Sequence, residues 1–417
     1  MSIKRLADYK KTFVKDSKVR YIYFFKSIKY NYISYNIHAS LLTIHYIKNK
    51  AESIKATQAR QRERREKMTN SKRFMSEESE GLGLEFKDAL KLKGESSTRD
   101  ERMNGARGLR DAIVVSNDVA IKSIVEEENC LDILLLMINS TDEGEVQEGL
   151  KTFGHLFTGQ MEIITPILLN KCMPYICKLF LLVNNSPSIL ESCAWCLANL
   201  CADNVYGRNE ILKLEGFIQH AVLLLSSQSR PSLISTIIWM LSNLSRGGEL
   251  NSALFLSTDL FHALIKIIQS PSCNPQIISE FAWLLTYLSL KEGSCVVKIV
   301  ESNFHMYILQ FLSTISTDYS NINHLPMFRF LGNLISSNSK IVLDNIPISL
   351  IINVLEMSLS SHTSHPINVK ESLWISSLLP SYSPLLGSST PLHLLFLLLL
   401  LLLLLYIYIY TLKYHYT

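Results

Sequence analysis

Ile189-Leu-Glu-Ser-Cys-Ala-Trp195-Cys-Leu-Ala-Asn199-Leu-Cys-Ala-Asp203 is helical in period, and its Trp stands four residues before an Asn. Forty-four residues later comes Ile234-Ser-Thr-Ile-Ile-Trp239-Met-Leu-Ser-Asn243-Leu-Ser-Arg246. A second step of forty-four brings Ile278-Ser-Glu-Phe-Ala-Trp283-Leu-Leu-Thr-Tyr287. Then follow Pro326-Met-Phe-Arg329-Phe-Leu-Gly-Asn333 and Val369-Lys-Glu-Ser-Leu-Trp374-Ile-Ser-Ser-Leu378. A fixed period of this size marks stacked helical repeats of the armadillo or HEAT type.

Short polar joints separate the helices: Asn139-Ser-Thr-Asp-Glu, Asn184-Asn-Ser-Pro, Ser226-Ser-Gln-Ser-Arg-Pro and Ser270-Pro-Ser-Cys-Asn-Pro. Pro and Ser at these points stop one helix and start the next. Between joints the pattern predicts a helix over Asn209–Gly216, with Gly216 as its C-terminal cap, and an apolar helix from Phe217. Three helices per unit is the armadillo form. The expected fold is all-α, a right-handed superhelical armadillo solenoid over residues 98–379.

Charge divides the chain. Residues 1–73 carry 19 Lys/Arg against 5 Asp/Glu, a net of +14, and residues 74–417 carry 22 against 32, a net of −10. A basic arm before an acidic body implies that the body binds the arm or something chemically like it. Arg5, Lys10 and Lys11 open the arm. Lys50 to Arg73, with Arg60, Arg62, Arg64, Arg65, Lys67 and Lys72, reads as an exposed charged helix rich in helix formers. That helix lacks the stacking aromatics of a nucleic-acid site, so nucleic acid is not the expected partner. Residues 21–48 interrupt the arm with a Tyr/Ile/Asn/Lys-rich insert whose composition is what AT-rich codons give. Residues 74–97 read as a flexible linker, and residues 380–391 as a Pro/Ser/Gly linker.

Residues 394–410 are seventeen apolar or aromatic residues, nine of them consecutive Leu after Phe396, at the short edge of a membrane span. Two readings of the Leu-rich tail, 392–417, stand side by side: a C-terminal membrane anchor, and a gene-model artefact. No secretory signal is expected at the N-terminus. The eight cysteines fall on apolar helical faces and are expected as reduced thiols, as in the cytosol or nucleus. Cys193, Cys196 and Cys201 lack the second pair or spaced His that a zinc site needs. No phosphate loop, nucleophile elbow or His-Glu-x-x-His is present, so neither enzyme, metal, cofactor nor small-molecule substrate is expected.

Trp and Asn at i and i+4 share one helix face. Stacked units turn them into parallel ladders of indoles and carboxamides. A carboxamide both donates to and accepts from a peptide backbone. Parallel indoles accept the stems of Lys or Arg, with cation–π attraction for the head. The ladder therefore predicts a groove for an extended basic peptide.

Trp195/Asn199, Trp239/Asn243, Trp283/Tyr287, Arg329/Asn333 and Trp374 resemble the third to seventh repeats of importin-α, the armadillo adaptor for nuclear localisation signals. The resemblance covers roughly residues 1–20 and 50–379. Cys273 to Trp283 is similar to the divergent branch of transmembrane and coiled-coil domain-containing protein 6. The resemblance implies a nuclear import adaptor that takes basic signal-bearing cargo in its groove. It also implies that the arm binds an importin-β-like carrier, in the cytoplasm and nucleus. The alternative is a membrane-anchored armadillo scaffold without a transport role. The chain departs from the family's pattern at Lys151 and His155, which stand one period before Trp195 and Asn199, and at Leu378, which stands where Asn is expected. A Lys in the slot repels a basic side chain, so weaker binding of basic signals is expected.

Overall fold

Proline opens the helices that carry the period. Pro187, Pro231 and Pro275 stand in first turns, where a missing N–H forfeits no intrahelical bond. Side chains just ahead of two of them cap the free N–H groups: Ser186 Oγ accepts from the Ile189 amide at 3.3 Å, and Asn274 Oδ1 from the Ile277 amide at 2.9 Å. Asp142 does the same for Glu145 at 2.8 Å one unit earlier.

The computed structural model describes residues 98–379, except 116–129, 159–163, 183, 228–229, 247–248, 257, 272, 291–293, 314–323, 338, 361–370, 373 and 377. The basic arm with its insert, both linkers and the Leu-rich tail lie outside the described residues. Helix α1 (Arg99–Val115) is followed by α2 (Cys130–Ile138) and α3 (Glu143–Leu156). Next, α4 (Ile164–Ile167) passes through a π turn at Leu168–Cys172 into α5 (Met173–Phe180), and α6 (Pro187–Asp203) completes the unit. Two full units follow: α7 (Val205–Leu212), α8 (Phe217–Ser227) and α9 (Pro231–Leu244), then α10 (Glu249–Leu256), α11 (Leu260–Gln269) and α12 (Pro275–Leu288). The next comprises α13 (Ser294–Glu301), α14 (Phe304–Ser313) and α15 (Leu325–Ser336), and α16 (Lys340–Asn345) and α17 (Ile348–Ser360) begin another. Residues 371–372 and 374–376 are helical again.

The third helices stack on one another in order, α1 on α3, then α6, α9, α12 and α15. Second helices form a parallel row, α8 against α11 and α14 against α17. This is an all-α armadillo solenoid, with no strand among the described residues.

Buried aromatics lock units together at two junctions. The Phe180 and Phe217 rings lie 5.2 Å apart, and Phe304 meets Phe261 at 5.8 Å and Phe281 at 5.1 Å. Phe217 and Phe304 are the first residues of α8 and α14, and both are fully buried. The turn ahead of each needs a left-handed residue: Gly216 has φ 77° and Asn303 has φ 58°. Gly and Asn are the residues that take this conformation at least cost. Gly216 does not cap a helix ending beside it, as the sequence predicts. Helix α7 ends at Leu212, and the Gly216 carbonyl instead accepts from the His220 amide in the first turn of α8 at 2.8 Å.

The membrane alternative is corrected here. Among the described residues no helix is long and apolar enough to cross a membrane. The solenoid helices reach their hydrophobicity on buried faces, against one another, and the anchored scaffold has no support.

Candidate functional site

The period brings the expected residues onto one row. Trp195 and Asn199 sit on α6, Trp239 and Asn243 on α9, Trp283 and Tyr287 on α12, and Arg329 and Asn333 on α15, with Trp374 on the helical stretch beyond. Trp239, Trp283, Tyr287, Arg329 and Trp374 are half-buried, whereas Trp195 is only 6% exposed. Asn199, Asn243 and Asn333 are buried. The basic-arm residues Arg5, Lys10, Lys11, Arg60, Arg62, Arg64, Arg65, Lys67, Lys72 and Arg73 lie outside the described residues.

Each buried Asn ties its helix to the one before. Asn199 Nδ2 donates to the Gly154 carbonyl at 3.3 Å, Asn243 Nδ2 to Ala198 at 3.0 Å, and Asn333 Nδ2 to Thr286 at 3.0 Å. The three acceptors occupy one repeat position, the residue just before His155, Asn199 and Tyr287. A bond of this kind is worth about 1 kcal/mol net, and an unmatched buried acceptor costs about 1–3 kcal/mol. Each tie therefore fixes the register of neighbouring third helices. Asn199 Oδ1 is buried and meets no donor among the described residues.

The same position seats two of the indoles. A Cβ added to Gly154 would lie 2.0 Å from Trp195 Cζ3, and one on Gly332 would lie 2.1 Å from Trp374 Cζ3. Only a bare Cα leaves room for each ring. Along the chain this position reads Gly154, Ala198, Ser242, Thr286 and Gly332, all small. That column was the missed signal: at its two glycines the bare Cα receives a ring arriving from the next unit. At the first rung the His155 imidazole meets the Trp195 ring edge-on, centroids 5.3 Å apart.

Farther along, the aromatic faces hold the chain's own cations. Trp283 and Tyr287 stack at 5.8 Å with planes 20° apart. The Arg246 guanidinium lies 5.6 Å from the Tyr287 centroid, and that of Arg329 lies 5.9 Å from Trp283. Arg329 also pairs with Glu371 at 3.2 Å. Arg246 donates to the Ala202 carbonyl, and the buried Arg208 donates to Cys201 at 2.6 Å and Ala202 at 3.3 Å. Two guanidinium groups thus close the carbonyl end of α6, where the helix dipole favours cations.

Several carboxylates near the starts of the row helices are engaged by neighbours. Glu143 accepts from Ser186 at 2.6 Å and from Ser188, and Glu191 accepts from Ser232 at 3.1 Å. Glu145 pairs with Arg102, and Glu148 with Arg110 at 2.7 Å. Burial raises the Glu145 carboxyl, but Arg102 and the Ser140 hydroxyl outweigh it and hold the group below its usual range. Hydrogen bonding by Arg99 holds Asp142 low as well.

The cysteines are set for packing. Burial pushes Cys172 and Cys177 up to about 12, and Cys193, Cys196 and Cys201 higher still. Thiols so far from ionisation are poor nucleophiles and poor metal ligands. Among the described residues no cluster of three or more His, Cys, Asp or Glu is arranged to hold a metal ion.

No protein-family model matches the chain, and no curated protein matches it. Solved structures do. An engineered protein is 18% identical with a TM-score of 0.55, covering 71% of this chain and 68% of its own. A designed armadillo repeat protein is 15% identical with a TM-score of 0.51, covering 59% of this chain and 98% of its own. A second designed armadillo repeat protein, in complex with the peptide (KR)4, is 16% identical with a TM-score of 0.50, covering 60% and 98%. The likeness is one of fold: an armadillo-repeat solenoid.

Proposed function

We propose that this chain is an importin-α-like adaptor that binds extended peptides with basic side chains along its third-helix row. In this reading it works by binding and not by catalysis. The observation that carries it is the row itself: half-buried Trp239, Trp283, Arg329 and Trp374 follow one per unit on the face where an armadillo solenoid presents its groove. A designed protein of the same fold binds a peptide of alternating Lys and Arg. The arm, residues 1–73, then has two partners, an importin-β-like carrier and, without the carrier, the chain's own groove.

Fluorescence anisotropy with a labelled Lys/Arg-rich signal peptide tests both parts. The full chain is expected to bind, Trp239→Ala to bind about tenfold more weakly, and a chain lacking residues 1–73 to bind more tightly. Absence of binding in every form refutes the adaptor. Equal affinity with and without residues 1–73 refutes competition by the arm.

A further inference from the structure

The aromatic rungs differ in what already lies against them. Trp195 is 6% exposed, its edge on the bare Cα of Gly154 and the His155 imidazole against it. Trp374 meets the bare Cα of Gly332 in the same way. On α12, Trp283 and Tyr287 stack on each other, and each carries a guanidinium of the chain's own. Arg246 lies 5.6 Å from the Tyr287 centroid, and Arg329 lies 5.9 Å from that of Trp283. They come from α9 and α15, the third helices packed on either side of α12. Trp239 differs from all of these: it is half-buried, and among the described residues no ring and no cation lies over it.

We propose that the row from α6 to α12 holds one cation slot, the open face of Trp239, and that a peptide enters it with a single Lys or Arg side chain. The proposal rests on the peptide-binding reading above and narrows it, from a run of basic residues to one basic anchor. At Trp239 the stem of the side chain lies along the indole with its charge over the ring. Asn243 stands one turn on, beside the path of the peptide backbone. The α12 rung already holds its cations. Arg246 is fixed by the Ala202 carbonyl and Arg329 by Glu371 at 3.2 Å. A tethered cation resists displacement, because its effective concentration at the ring far exceeds that of a peptide in solution. At Trp195 the buried ring offers an incoming side chain almost no surface.

Spacing sets the peptide that tests this. Neighbouring packed helices lie about 9 Å apart, and an extended chain rises about 3.3 Å per residue. A run of five Lys centred on Trp239 therefore brings side chains within reach of the rungs on both sides. With several slots it gains from each of them, and with one slot it gains only the choice of which Lys enters.

The test uses the full chain and three labelled peptides of equal length in an Ala/Ser background: one central Lys, a central run of five Lys, and Gln in place of the single Lys. Anisotropy is read at about 0.3 M salt, where long-range attraction to the acidic body is screened. The five-Lys peptide is expected to bind within about fivefold of the one-Lys peptide, and Gln to bind about tenfold more weakly than Lys. For the one-Lys peptide, Trp239→Phe keeps a ring face and should stay within about threefold of the parent. Trp239→Leu keeps bulk without that face and should lose about tenfold. A five-Lys peptide more than about tenfold tighter, as linked slots give, overturns the single slot and leaves the peptide-binding reading standing. So does binding of the five-Lys peptide when the one-Lys peptide does not bind. Equal binding of the Lys and Gln peptides, or a Trp239→Leu chain that binds like the parent, overturns the Trp239 anchor alone. Failure of all three peptides overturns both.

Discussion

Gly154→Ala sets two effects of opposite sign against each other at one residue of α3. In a helix, Ala is favoured over Gly by about 0.5–1 kcal/mol, so propensity alone predicts stabilisation. The new methyl, however, would lie 2.0 Å from Trp195 Cζ3, 2.5 Å from Cε3 and 2.9 Å from Cη2. Ordinary carbon contacts are about 3.5–4.0 Å, so the indole must retreat by about 1.5 Å or α6 must lift from α3. Overpacking of this kind costs about 1–3 kcal/mol. The Asn199 bond to the Gly154 carbonyl, worth about 1 kcal/mol, weakens if the helices separate. The clash wins, and the expected net loss is about 2 kcal/mol. Urea unfolding gives the global change. Hydrogen exchange in α3 and α6 gives the local one, because repeat arrays open unit by unit. Displacing the most buried of the four indoles should also shift its emission to the red. The double variant Gly154→Ala/Trp195→Leu should cost less than the two single changes combined. A Gly154→Ala chain as stable as the parent, with unchanged emission, would show that Trp195 is not seated on that glycine.

Acid should weaken the fold through His305. Burial holds its imidazole below the ordinary histidine value, so the unfolded chain takes up the proton first. Stability is then full above about pH 6.5 and falls as pH drops from there toward the lowered native value. Urea midpoints at pH 7.5 and pH 5.5 measure the loss, and His305→Gln should flatten the part of the slope that this residue contributes. Arg110→Met should cost about 3–5 kcal/mol by leaving the buried Glu148 carboxylate unpaired, as read by thermal unfolding. Changing both residues to Met should cost much less. A thiol reagent should modify Cys273, half-buried, well before the seven buried cysteines, and all eight only in denaturant. Fast native labelling of Cys193 or Cys196 would contradict their burial.

The repeat was plain in the sequence because the strongest signals are local and recur. A Trp in helical register, a polar joint with Pro and an apolar second helix each need only a short window to be seen. The partner of each Asn was not plain. Whether Asn243 reaches a ligand or the Ala198 carbonyl depends on the register of two helices 45 residues apart, and no window of one helix contains that. The same holds for Arg246, whose ring partner Tyr287 lies a full unit away. Yet the small column from Gly154 to Gly332 was there to be read. Its spacing matches the Trp column, and a bulky residue beside a repeated small one is what a seated ring requires. The departure at Lys151 and His155 was visible for the same reason, since a period makes an exception conspicuous.

The ties also decide what the carboxamide row can still offer a peptide. An amide group has two donors and an acceptor with two lone pairs. In Asn199, Asn243 and Asn333 the Nδ2 end already donates to the preceding helix. Breaking that bond to turn the amide around costs about 1 kcal/mol and leaves a backbone carbonyl unmatched inside the solenoid. The low-cost addition is at the oxygen of Asn243 or Asn333, because Asn199 Oδ1, which meets no donor among the described residues, is buried out of a peptide's reach. The row should therefore accept from peptide N–H groups more than it donates to peptide carbonyls. N-methylation removes one N–H and keeps the carbonyl, so it separates the two. Methylating alternate backbone nitrogens of a bound peptide, on the strand face toward α9 and α15, should cost about tenfold in affinity for each Asn oxygen deprived of its donor. The same change on the opposite face should cost little. Equal losses on both faces, or none on either, would mean that the carboxamides serve the stacking of repeats alone and that the indoles and charges hold the peptide.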